Sequence, residues 1–142
     1  LPSYRTPFNQ GSQIMSNLIN TFDIDGVIFM GKYDGLYPSK NDIIITGRSF
    51  EERAETEAML ASKGINNKVF YSPIPFHLKT REASGLHKAK TMRLIENLGQ
   101  DIGVHFEDDP IQINEISILM PHIMIVHVHH NLVNKENMRH TI

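Results

Sequence analysis

Cysteine is absent from the 142 residues. That excludes disulfides, thiolate zinc centres and cysteine nucleophiles, and it suits an intracellular, cytoplasmic protein. Long hydrophobic runs are missing as well. The longest, Ile123-Met124-Ile125-Val126, falls far short of the ~20 residues that a spanning helix needs, so no membrane is expected as a partner. The opening residues lack the basic start and apolar centre of a secretory signal. No charge of one sign dominates either: the formal net charge of -2 gives no global attraction to nucleic acid or anionic lipid. The exception is local. From His77 to Arg93 the chain carries Lys79, Arg81, Lys88, Lys90 and Arg93 against Glu82 alone. Repeats and low-complexity segments are absent.

What is present is ordinary in bulk. An apolar content of 40% and a charged content of 21% are those of a globular protein, and the length suits one domain with its own core. Residues 1–16 read as a flexible N-terminal arm or leader, since Leu1 to Gly11 is polar and holds Pro2 and Pro7, with Met15 a candidate natural start. Residues 17–142 read as a single domain.

Within it, short β-branched strands alternate with helix-like stretches. Strands are expected over Asn17–Phe22, Asp42–Ile45, Lys68–Tyr71, Ile102–Phe106 and Ile123–Val128. Gly26 to Asn41 reads as loop or hairpin, with Gly31, Gly35 and Pro38. Ser49 and Glu52 make a capping box and Gly64 a C-terminal stop, which sets a helix over Phe50–Lys63. Ser72 to Leu86, with Pro73 and Pro75, reads as irregular. A helix follows over Lys88–Leu98, its buried face carrying Met92, Ile95 and Leu98. Asp109 and Pro110 read as N-cap and first residue of a third helix, closed before Pro121. The tail from Asn131 is expected to be peripheral. This order predicts an α/β fold: a three-layer, doubly wound, Rossmann-like domain on a mainly parallel five-stranded sheet.

Ligands gather at the carboxyl ends of such strands, and four of the elements there carry polar groups. The first strand ends in Phe22-Asp23-Ile24-Asp25-Gly26 and the second in Ile45-Thr46-Gly47-Arg48. Lys88 or Lys90 opens the helix before the fourth strand, which ends in Phe106-Glu107-Asp108-Asp109. Two carboxylate clusters, a hydroxyl and an ammonium thus meet on one edge. Hard oxygen donors of this kind suit Mg²⁺.

In these residues the chain resembles the haloacid dehalogenase-like superfamily, in its small capless phosphatase form. That family's pattern is D-x-D-G after a strand, a strand ending in Thr or Ser, a lysine at a helix start, and an acidic pair after a strand. Here Asp23-Ile24-Asp25-Gly26, Ile45-Thr46-Gly47-Arg48, the lysine and Glu107-Asp108-Asp109 follow in that order. The resemblance implies a magnesium-dependent phosphomonoester hydrolase. Asp23 is then the nucleophile that forms an aspartyl-phosphate, and Asp25 the acid and base. Thr46 and Lys88 hold phosphoryl oxygens, with Gly47 and Arg48 at the substrate. Asp23 and Asp108 give the metal carboxylates, and Asp25 its main-chain carbonyl.

Between the two lysines, Lys88 stands four and seven residues before Met92 and Ile95 and shares their face, whereas Lys90 falls off it. Asp109 is accounted for as an N-cap, which leaves Asp108 as ligand and Glu107 as a water-mediated one. His127, His129 and His130 invite a metal reading, since His127 and His129 share a face that a transition metal could use, but they read first as polar residues at a sheet end. Phe76, His77, Lys79 and Arg81 read as solvated loop or as a basic, aromatic rim for an anionic substrate. Val27–Asn41 and Ser72–Leu86 are too short for an inserted cap domain, so an open site is expected. With the basic segment, that tilts the substrate toward a nucleotide or a nucleic-acid end, with a sugar phosphate or a phosphoprotein as the other readings. The alternative is a regulatory phosphoacceptor or interaction module on the same fold. A receiver-type acceptor would need its Asp at the third strand's end, where Phe70-Tyr71-Ser72 stands.

Overall fold

Buried β-branched and aromatic residues build the strands of the computed structural model, which describes residues 18–132. The arm over 1–16 and all but the first two residues of the tail lie outside the described residues. Strand β1 (Leu18–Phe22) leads through a tight turn into a small antiparallel hairpin, β2 (Phe29–Met30) and β3 (Tyr33–Asp34). Then come β4 (Ile43–Ser49), helix α1 (Arg53–Ser62), β5 (Val69–Ser72), α2 (Arg81–Asn97), β6 (Asp101–Glu107), α3 (Pro110–Leu119) and β7 (Met124–His127). The five longer strands form one sheet in the order β5-β4-β1-β6-β7, every neighbouring pair parallel.

Two apolar clusters fill its two faces. Ile19, Ile43, Ile45 and Ile102 pack under Ala89, Met92 and Ile95 of α2 and Ile116 and Met120 of α3. On the other face Phe22, Ile44 and the hairpin residues Val27, Ile28 and Phe29 pack with Leu60 of α1. The chain thus winds outward from β1 over one face and returns over the other, as crossovers of a single hand require. The result is the three-layer, Rossmann-like α/β fold. Neither Val27–Asn41 nor Ser72–Leu86 forms a separate domain. Among the described residues no helix is long and apolar enough to cross a membrane.

The caps hold where local chemistry sets them. Ser49 N–H donates to Glu52 Oε2 at 2.9 Å, closing half of the box, although Phe50–Glu52 is a 3₁₀ turn and α1 proper starts at Arg53. Gly64 takes φ +73° after the helix. Asp109 accepts from Ile111 N–H at 3.0 Å with Pro110 in the first turn.

Helix α2 departs from its expected limits. It begins at Arg81, two turns before Lys88, because Thr80 caps it by accepting Ala83 N–H at 3.0 Å. Gly85, within the stretch expected to be irregular, lies inside the helix and serves the packing of α2 on α3. Leu98, placed on the buried face by spacing alone, is 73% exposed. The helix has ended at Asn97, and its buried ladder runs Ser84, Lys88, Met92, Ile95. Four helix residues advance about 6 Å, close to the ~6.6 Å of two strand residues. The ladder therefore keeps step with the sheet, with Met92 over the apolar middle and Lys88 over the polar carboxyl edge.

A Cβ on Gly85 would lie 2.8 Å from Glu115 Cβ and 3.0 Å from Gln112 Cα. Gly85→Ala gains about 1 kcal/mol of helix propensity. Overpacking costs about 1–3 kcal/mol, and the crowded atoms of α3 are main chain and Cβ, which cannot swing aside. The variant is expected to be less stable by about 1 kcal/mol in urea unfolding. A midpoint equal to or above that of the parent would show that the two helices separate freely.

Candidate functional site

Parallel pairing sets equivalent positions of β1 and β6 on one face. Thr21 pairs with His105 and Phe22 with Phe106, and Asp23 N–H donates to Phe106 O at 3.0 Å. Asp23 and Glu107 therefore emerge side by side, beneath α2. Lys88 descends from that helix and joins them, its Nζ 2.9 Å from Asp23 Oδ1 and 2.8 Å from Glu107 Oε1. Glu107 Oε1 also meets His105 Nε2 at 3.1 Å, and His105 Nδ1 meets Thr21 Oγ1 at 2.8 Å. Lys88, His105, Glu107 and Thr21 are all fully buried.

Burial governs the protonation of this chain. It works to discharge Lys88, but the carboxylates of Asp23 and Glu107 outweigh it and hold the ammonium above its ordinary range. Burial, aided by Lys88, pushes His105 down to about 3, so the ring is neutral. It then donates from Nε2 to the carboxylate and accepts the Thr21 hydroxyl proton at Nδ1. Burial and the Asp23 charge raise Glu107 to about 8, against the pull of Lys88.

Asp25 lies apart from this group. Both its oxygens receive the Arg48 fork, Nε at 3.0 Å and Nη2 at 2.7 Å. Arg48 also donates to Thr56 Oγ1 at 3.0 Å and lies 5.5 Å over the Phe29 ring. Arg48, assigned to substrate by resemblance, thus turns inward and fixes the Asp25 carboxylate. Thr46 is fully buried and its Oγ1 accepts Arg48 N–H at 3.0 Å. Asp109 caps α3 and takes both Arg81 nitrogens, at 2.9 and 2.6 Å. Burial opposes its ionisation, but Arg81, Ile111 N–H and Gln112 keep the carboxyl below its usual range.

Asp108 continues the acidic run toward Gly26. Gly26 takes φ +86°, and a Cβ there would overlap the Asp108 carboxylate. Conformation and close approach both require glycine at the end of D-x-D-G. Asp23, Glu107 and Asp108 each offer an oxygen, all within 4.8 Å of one another. This cluster could hold a metal ion, and its donors are hard oxygens of the kind Mg²⁺ prefers. The proton drawn onto Glu107 is one that a cation would displace.

A cavity of about 370 Å³ opens beside the cluster. It is lined by Asp23, Asp25 and Lys88, by Gly47 and Arg48 of β4, and by Lys79, Thr80, Arg81 and Ser84 at the start of α2. Of the residues expected at the site, Asp23, Lys88 and Asp108 come together with Glu107. Asp25, Gly47 and Arg48 face the same cavity, while Thr46 is engaged behind it. Lys90 is exposed. His105 went unassigned in the sequence. His105 had a signal, since Thr21 and His105 stand two residues before Asp23 and Glu107, polar interruptions on the inward face of buried strands.

Comparison with known proteins finds no matching family model, curated protein or solved structure.

Lys88→Met removes the ammonium that touches two buried carboxylates, Asp23 and Glu107. Breaking such a pair costs about 3–5 kcal/mol, and a loss of that size is expected in urea unfolding without divalent cations. Unchanged stability would mean that water already compensates the carboxylates.

Proposed function

We propose that the chain is a magnesium-dependent phosphomonoester hydrolase that acts through an aspartyl-phosphate at Asp23. The observation carrying this reading is the buried Asp23–Lys88–Glu107 group beside Asp108, opening onto a cavity with cations on its rim. Asp23 Oδ attacks phosphorus while the ester oxygen leaves with a proton from Asp25. Water then attacks the phosphoryl group, Asp25 takes its proton, the Asp23–phosphorus link breaks and inorganic phosphate departs. Lys88 keeps Asp23 ionised and its oxygen aimed, and it meets phosphoryl charge as this builds. Arg48 holds the plane of the Asp25 carboxylate. Asp23, Glu107 and Asp108, with the Asp25 carbonyl, would hold the magnesium ion. When bound, the ion neutralises the repulsion between an anionic nucleophile and an anionic phosphate.

A nucleotide or a nucleic-acid end suits the rim best. Lys79 Nζ lies 4.8 Å over the ring of Phe76, a half-exposed aromatic able to stack on a base, and Arg81 stands at the cavity mouth.

Asp23→Asn is expected to abolish hydrolysis of p-nitrophenyl phosphate, since an amide neither attacks phosphorus nor binds metal as a carboxylate does. Asp25→Asn is expected to lose roughly 10²–10⁴-fold in rate while retaining Mg²⁺ affinity by calorimetry. Chelation by EDTA should stop the wild type, and Mg²⁺ should restore it. Turnover by Asp23→Asn would assign the attack to water. An unchanged rate in Asp25→Asn would favour a phosphoacceptor or interaction module, which needs no proton there.

A further inference from the structure

The segment after β7 folds back across the acidic edge. Val128 N–H donates to Glu107 O at 2.8 Å, and the Val128 side chain packs against the apolar cluster of Phe22 and Ile24. His127 Nε2 meets the Asp108 carbonyl at 3.1 Å, and the His129 ring lies 4.0 Å from that of His127. Thus pinned, the chain brings His130 Nε2 to 2.7 Å from Asp108 Oδ2. Leu132 N–H donates to His130 Nδ1 at 3.1 Å. A backbone N–H can only donate, so Nδ1 is an acceptor and the ring proton sits on Nε2, aimed at the carboxylate. His130 is 16% exposed at its side chain and Asp108 3%, so little water competes for this bond. On its other side Gly26 closes the contact: a Cβ there would stand 2.7 Å from His130 Nε2.

The geometry points to His130 as a positioning residue for the candidate metal site, one that fixes the Asp108 carboxylate by a neutral N–H donor. This rests on the reading of Asp23, Glu107 and Asp108 as cation ligands. A hydrogen bond to one carboxylate oxygen fixes the rotation of the group, so the other oxygen meets a cation without first losing torsional freedom. A neutral donor does this without adding positive charge against the metal. Outer partners of ligands are typically worth 10–100-fold in metal affinity.

The test is calorimetric titration of the whole chain with Mg²⁺ alone, for the wild type, His130→Ala and His130→Gln. Glutamine supplies an N–H close to the Nε2 position. His130→Ala is expected to bind Mg²⁺ about 10–100-fold more weakly, and His130→Gln to recover most of the loss. In the wild type, ¹⁵N shifts of the His130 ring should report the proton on Nε2. Equal Mg²⁺ affinity in His130→Ala and wild type overturns this role while leaving the cation site standing. So does a loss in His130→Gln as large as in alanine, which would mean that the ring only fills space. Wild-type protein that binds no Mg²⁺ overturns the cation site and this role together.

Discussion

An ammonium inside a protein is tolerated only when carboxylates or other acceptors replace its water, and this sets the arrangement around Lys88. The group is fully buried and touches Asp23 and Glu107. Both contacts require that β1 and β6 be neighbours in register, and that α2 cross above them with one particular turn facing down. The close approach of α2 to α3 at Gly85 holds that helix in place, and Met92 and Ile95 lock its lower turns into the apolar face. A slip of one residue in either strand would carry Asp23 or Glu107 to the opposite face. The fold and the site are thus one constraint. The apolar ladder beneath Lys88 gives the free energy, and the ion group gives the register.

Along the inward face, polarity rises toward the carboxyl edge: Ile19 and Ile102, then Thr21 and His105, then Asp23 and Glu107. Neutral His105 is suited to the middle layer. It can donate to Glu107 and accept from Thr21 without bringing a second buried charge. A protonated imidazole there would compete with Lys88 for the same oxygen, and burial together with the lysine prevents it.

Much of this was legible in the sequence because it is local. Strand ends, the Asp109-Pro110 cap, the glycine stops and the D-x-D-G run need only neighbours within a few residues, and the strand–helix order follows from them. Four features were not legible, each for a tertiary reason. The early start of α2 falls in the stretch that Pro73 and Pro75 mark as irregular, and it depends on a partner helix that Gly85 lets come close. Leu98 has the spacing of a core residue, but the helix ends before it can be turned inward. Arg48, beside the Thr-Gly pair, looks like a residue for an anion. It turns toward Asp25 because the tight turn after β1 carries that carboxylate within reach of β4. The contact of His130 with Asp108 depends on β7 pairing with β6 at Glu107 and His127.

The charges along this edge divide unevenly, and the division bears on what the site takes. Asp25 has the guanidinium of Arg48, and Asp109 has that of Arg81. Each is a fork on a carboxylate, balanced one to one. Lys88 instead touches two carboxylates at once, Asp23 and Glu107, and Asp108 stands beside them. The histidines touching them add donors rather than charge, since His105 is neutral by burial and His130 by the proton its Nδ1 lacks. Asp23, Glu107 and Asp108 keep three hard oxygens within 4.8 Å of one another, a cluster that could hold a metal ion in place of the proton drawn onto Glu107.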